Sequence, residues 1–228
     1  MRRRKGGIWE YVLVALALAV LAVSIVGVIN FGERLWYGGG KSALNNIFHP
    51  RETVEIDLSE HLGSETVPLF FQWDERWGYT IYGSDVMKVT GCGPTCLSMV
   101  LVHLLQDATY TPRYVADFAE DHRYYAKGSG SKWALISEGG ETLGLDVTEL
   151  PLDENRMKKN LEQGNPIICI MGPGDFTTAG HFIVLRGLED GKFIVNDPNS
   201  KINSEKLWSY DEIQGQIKNL WACRLPEE

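Results

Sequence analysis

The chain has too few cysteines for a disulfide scaffold, and its four thiols, Cys92, Cys96, Cys169 and Cys223, include no C-x-x-C pair of the kind that holds a structural metal. No metal or organic cofactor is therefore expected. Basic residues are also short, at 22 Lys and Arg against 30 Asp and Glu for a net charge of −8, and four of them stand together as Arg2, Arg3, Arg4 and Lys5. Residues 1–31 hold those four cations and one acid, Glu10, a net +3, so the rest of the chain carries −11. An acidic body of that size repels phosphate backbones, and no nucleic-acid partner is expected. Internal repeats and low-complexity tracts are missing as well. The 228 residues, 44% of them hydrophobic, have room for one domain and an anchor.

From Tyr11 to Phe31 there is no charged side chain. At about 1.5 Å per helical residue the run reaches about 30 Å, the thickness of a bilayer's hydrocarbon core. The basic segment 1–10 should stay cytoplasmic, which places everything after a helix over 11–31 on the outer face. A cleaved signal peptide is the competing reading, with Ala22-Val23-Ser24 as its small-residue site and a secreted product as its consequence. The apolar run is long for that purpose, and the retained single-pass anchor is preferred.

Residues 32–66 contain Gly38-Gly39-Gly40 and no sustained periodicity, and read as a juxtamembrane spacer. Whether that spacer covers a cleft is left open. The folded domain is expected over 67–228. Its clearest helix starts at Cys92 or Gly93, with Pro94 in the first turn and Leu97, Val100, Leu101, Leu104 and Leu105 on one buried face. Weaker helical patterns cover 112–120, 132–143 and 154–162. The period then changes to that of strands at 166–171, 181–185, 192–196 and 221–225, with a hairpin turn around Leu188-Glu189-Asp190-Gly191. Helices followed by an antiparallel sheet make an α+β fold. Cys169 and Cys223 lie in strand-like stretches, where either a bridge or two buried thiols is compatible with the pattern.

Cys92, flanked by Gly91 and Gly93, sits where unpaired N–H groups and the helix dipole favour a thiolate, while Cys96 reads as a small buried residue. A hairpin centred on Glu189 would set His181 directly opposite Asp197, about 5 Å apart at Cβ, close enough for the carboxylate to orient the imidazole. His181 could then take the Cys92 proton and return it to a leaving group. The other histidines, His49, His61, His103 and His122, fit structural or exposed positions better. Gln72 is either an oxyanion donor or a turn residue, and Trp73, Trp77 and Tyr79 either line a cleft or pack the core.

Gln72-Trp73-Asp74-x-x-Trp77-Gly78, Gly91-Cys92-Gly93-Pro94-Thr95-Cys96-Leu97-Ser98-Met99, Gly180-His181-Phe182-Ile183-Val184-Leu185 and Asn196-Asp197-Pro198 together resemble the bacterial C-thirty-nine-like peptidases. That family is similar to the bacteriocin-processing peptidases that cut after double-glycine leaders. The match runs from about Val67 to Leu225. It implies a papain-like fold with Cys92 as nucleophile, His181 as base, Asp197 as orienting residue and Gln72 as oxyanion donor. It departs from the processing enzymes at Gly91, where they commonly have Asp, and in lacking transporter segments. The expected function is cysteine-type peptide-bond hydrolysis through a thioester on the outer face of the membrane. The substrate is a peptide or protein, and a partner membrane protein has a place in presenting it. The alternatives are an amidase or endopeptidase acting on cell-wall peptides and a membrane-tethered binding module that has lost activity.

Overall fold

In the computed structural model the described residues are 56–227. The basic segment, the apolar run Tyr11–Phe31, most of the expected spacer and His49 lie outside them. Among the described residues no helix is long and apolar enough to cross a membrane.

The spacer reading needs correction at its C-terminal end. Leu58 is fully buried in the core, a 3-10 turn at Ser59–His61 follows, and the His61 ring packs edge-on against Phe70 at 5.0 Å. The Gly63 amide donates to Gln106 Oε1 at 2.6 Å. Residues 56–66 therefore belong to the folded body. One buried leucine in a polar stretch carries no periodic signal, which is why the sequence pattern places the boundary later.

A short ribbon, β1 (Ile81–Tyr82) with β2 (Asp85–Val86), leads through the one-turn α1 (Met87–Thr90) into α2 (Cys92–Leu105). Every residue of α2 from Gly93 to Val102 is buried. A helix wrapped on all sides forms the centre of a packed layer, not its surface. Truncating one of its leucines, Leu97 or Leu101, to alanine is the kind of change that costs about 2–5 kcal/mol. The Gly91 hinge between α1 and α2 requires glycine, because a Cβ there would collide with the Met87 carbonyl and side chain. α3 (Pro112–Asp121) starts with Pro at its first position, and Thr111 Oγ1 caps it by accepting from Tyr114 N at 3.1 Å. A second ribbon, β3 (Tyr125–Ala126) with β4 (Gly130–Ser131), and α4 (Ser137–Thr142) complete this layer.

The second half is a six-stranded antiparallel sheet. Its strands are β5 (Asp146–Glu149), β6 (Ile167–Met171), β7 (His181–Glu189), β8 (Lys192–Asn196), β9 (Leu207–Trp208) and β10 (Ile217–Arg224), in the order β5-β10-β6-β7-β8-β9. Three helices are interleaved with the strands: α5 (Glu154–Glu162), α6 (Lys201–Glu205) and α7 (Tyr210–Ile213). Alternate residues of β6 explain why its whole run is apolar: Ile168 and Ile170 join the core around α2, while Ile167, Cys169 and Met171 join a second core with Met157 and Leu161 of α5. The α+β expectation holds in this antiparallel form.

The same alternation closes the question of Cys169 and Cys223. Cys169 of β6 pairs with Leu220 of β10, three residues from Cys223, so the two thiols point to opposite faces and into different cores. All four cysteines are free.

The hairpin register also differs from the expectation. Its turn residues are Asp190 and Gly191, both with positive φ (51° and 73°), which suits the twist of a two-residue loop. Leu185 pairs with Val195 and Val184 with Asn196, with a bulge between Leu185 and Gly187. Continuing this register puts Ile183, not His181, opposite Asp197. His181 is two residues further on, hence on the same face as Asp197 and diagonal to it.

Candidate active site

Three loci of the chain converge at the start of α2. Cys92 is half-buried at the helix N-terminus, His181 opens β7 and Asp197 follows the last residue of β8. His181 is 6% exposed and Asp197 is fully buried, so water does little to screen their interaction. His181 Nε2 lies 2.7 Å from Asp197 Oδ1. The other ring nitrogen is left for Cys92, whose thiol is coupled electrostatically to the His181 side chain. The diagonal geometry of the bulged hairpin thus delivers the contact that a directly opposed pair was expected to make.

Electrostatics push the three groups in complementary directions. Burial alone would raise the Cys92 thiol. The His181 hydrogen bond and charge, with the amides of Phe182 and Gly93, overcome it and hold the thiol below its ordinary range. Burial alone would lower His181, but hydrogen bonds and charges from Asp197 and Cys92 raise it well above an ordinary histidine. Burial would raise Asp197, and His181, Asn203 and the Asn199 amide bring it below the usual carboxylate range. The combination favours thiolate, imidazolium and carboxylate in a row. Cys96, one turn inside α2, is fully buried and pushed up by burial and then by the negative charges nearby, as an inert structural thiol should be.

Gln72 ties the two halves of the site together. Its backbone N–H donates to the carbonyl of Pro198, next to Asp197, at 2.8 Å. Its side-chain Nε2 donates to the carbonyl of Lys88 in α1 at 2.8 Å. The side chain is 3% exposed, and its Oε1 has no protein partner. Nearby, Trp73 stacks on Phe71 at 4.5 Å and reaches the Asn199 carbonyl with Nε1 at 3.3 Å, while remaining 41% exposed. Trp77 is core, donating to the Phe71 carbonyl at 2.8 Å, and Tyr79 is exposed. His61, His103 and His122 lie elsewhere: against Phe70, in the second half of α2, and against Phe118 and Tyr124.

Two features of the site have no counterpart in the sequence reading. Ser131 of β4 packs against the backbone of Gly93, and its Oγ is 2.7 Å from the hydroxyl of fully buried Tyr82. A Cβ at Gly93 would sit 2.7 Å from Ser131 Cβ and 2.5 Å from its Oγ. Helix propensity favours Gly93→Ala by about 1 kcal/mol, while overpacking a filled core costs about 1–3 kcal/mol. Because a fixed Cβ cannot rotate away, the clash should win. A thermal melt is expected to show Gly93→Ala less stable than the natural protein, and an equal or higher midpoint would contradict this packing. The second feature is Asn203 in α6, which donates Nδ2 to Asp197 Oδ2 at 2.8 Å. Two-residue strands and a five-residue helix leave no periodic trace, so neither contact has a sequence signal beyond the turn-like Asn199-Ser200.

The sequence profile of the Peptidase_C39 like family matches residues 64–224. The chain belongs to that family. Its members' α+β fold with an antiparallel sheet is the one described above, and membership supports a cysteine peptidase. No curated protein sequence matches the chain. Among solved structures, the peptidase domain of Streptococcus ComA, a bifunctional ABC transporter of a quorum-sensing pathway, is similar at 20% identity and a TM-score of 0.47, covering 61% of this chain and 93% of that one. A double-glycine motif protease from an AMS/PCAT transporter, solved with a leader peptide, is similar at 20% identity and a TM-score of 0.45, covering 70% and 92%. A putative C39-like peptidase from Bacillus anthracis is similar at 14% identity and a TM-score of 0.48, covering 76% and 98%.

Proposed function

We propose that the chain is a cysteine peptidase in which Cys92, His181 and Asp197 hydrolyse peptide bonds. The observation that carries this reading is the buried pair in which His181 Nε2 meets Asp197 Oδ1 at 2.7 Å, with Cys92 at the N-terminus of α2 coupled electrostatically to His181. The Cys92 thiolate attacks the substrate carbonyl carbon, and the carbonyl π electrons move to oxygen. His181, as imidazolium, then protonates the departing amine, which leaves a thioester on Cys92. Neutral His181 takes a proton from water, whose oxygen displaces the thiolate and restores the ion pair. The amide of Gln72 has one N–H committed to Lys88, which leaves the second for the developing oxyanion.

The pH dependence follows from the directions of the shifts. Thiolate is lost as pH falls through the lowered pKa of Cys92, and imidazolium is lost as pH rises through the raised pKa of His181. A bell-shaped kcat/KM is expected, with its acid limb below the ordinary thiol range. The reading extends to a domain held outside the membrane by residues 11–31, which supports peptides or proteins of that compartment as substrates. Protease added to intact cells should remove the domain if it faces outward.

A digest of denatured proteins, incubated with the full chain and read by mass spectrometry for new termini, tests the activity. The natural chain should generate termini that Cys92→Ala does not, and Cys96→Ala should retain most of them. Identical termini from the Cys92→Ala protein would sink the assignment. No cleavage by any form would favour a binding module that has kept the fold.

A further inference from the structure

We infer that Asn203 is a positioning residue: by donating its side-chain amide to Asp197 Oδ2 at 2.8 Å it fixes the rotation of the carboxylate that orients His181. The inference rests on the reading of Cys92, His181 and Asp197 as a peptidase site. Asp197 stands just after β8, where no strand partner holds it, and a carboxylate torsion is broad when left alone. Its Oδ1 accepts from His181 Nε2 at 2.7 Å and from the amides of Asn199 at 2.9 Å and Ser200 at 3.2 Å. Among the described side chains, Asn203 is the one hydrogen-bonded to Oδ2.

Asn203 is itself held firmly. Its N–H donates to Ser200 Oγ at 3.1 Å, its carbonyl accepts from Nε1 of the buried Trp208 at 2.9 Å, and the next residue, Ser204, accepts the Asp197 N–H on Oγ at 2.9 Å. The five residues of α6 act as a clamp on the end of β8. The chemistry of an amide suits this position. A lysine would neutralise the charge that raises His181, a carboxylate would repel Asp197, and an apolar side chain would leave Oδ2 buried and unpaired. The titratable groups bearing on Asp197 are His181 of β7 and Cys96 of α2, with Cys92 of α2 acting through His181.

The test needs no substrate. Iodoacetamide labelling of Cys92 is followed by mass spectrometry across pH in the full chain, in Asn203→Ala and in Asn203→Asp, with the buried Cys96, Cys169 and Cys223 reporting folding in each sample. Losing a hydrogen bond to a charged group should slow Cys92 labelling in Asn203→Ala about 10- to 100-fold near neutral pH. Asn203→Asp should be slower still there, because two carboxylates then face each other. Its rate relative to the natural chain should climb back toward one as pH falls, since one of the two carboxyls takes a proton at raised pKa and donates in the amide's place. A merely structural role predicts no such acid recovery. An unchanged Cys92 profile in both variants, or slowing in Asn203→Asp that acid does not relieve, overturns the inference while leaving the peptidase reading intact. If Cys92 of the natural chain shows no lowered pKa, the peptidase reading fails and this inference falls with it.

Discussion

Replacing His181 with alanine is expected to lower kcat for peptide hydrolysis about 100- to 10,000-fold, the range that a positioned general acid and base supplies. The expectation is this large because one imidazole does two jobs. In the proposed mechanism it holds Cys92 as thiolate before attack and protonates the leaving amine afterwards, and among the described residues no other histidine is placed to substitute. His61, His103 and His122 sit against other parts of the helical layer. The same substitution should raise the Cys92 thiol toward the ordinary range or above it, because burial is then opposed only by the amides of Phe182 and Gly93. Steady-state kinetics on a peptide identified from the digest check the first effect. A loss smaller than tenfold would mean that His181 is not the base.

Asp197→Ala carries the second large effect, and it falls on the fold as well as the chemistry. The substitution removes the carboxylate from a site where it accepts from the His181 ring, two backbone amides and Asn203, all in a region sheltered from water. Breaking a buried ion pair from one side costs about 3–5 kcal/mol, because the remaining partners stay desolvated without compensation. For a domain of this size that corresponds to a fall of roughly 10 °C in thermal midpoint. The sign of the pH dependence is fixed by the lowered pKa of Asp197: its contribution is complete above the ordinary carboxylate value of 3.8 and is lost as pH falls through the folded value. The gap between natural and variant midpoints should therefore be full near neutrality and close in strong acid. Equal melts at neutral pH would contradict the buried pair.

The parts of this site that the sequence makes legible are those carried by periodicity and by flanking residues. Cys92 opens α2 where Pro94 and the leucine spacing place a helix start, and α5 covers 154–162 as its pattern requires. β8 begins and ends at Lys192 and Asn196, again as read. The hairpin contact was legible in identity and not in register. A bulge near Arg186 and an Asp190-Gly191 turn shift the pairing by two or three residues, and an even shift keeps His181 and Asp197 on one face. What stayed hidden depends on contacts between distant short elements: Leu58 under the core, Ser131 against Gly93 and Asn203 behind Asp197. Strands of two residues and helices of one turn have no period to read, and tertiary packing alone creates them. Only in the fold does alternation along β6 and β10 separate Cys169 from Cys223, because strand pairing decides which face each one takes.

The central claim is that His181 keeps Cys92 as a reactive thiolate. Its most direct measurement is the alkylation rate of each cysteine across pH, in the natural chain and in His181→Ala, against free glutathione under the same conditions. The account predicts that near pH 6, where an ordinary thiol with pKa about 8.5 is almost wholly protonated, Cys92 outpaces glutathione while Cys96, Cys169 and Cys223 stay protected, and that His181→Ala removes the advantage. A Cys92 no faster than glutathione, or one whose rate His181→Ala leaves unchanged, would contradict it.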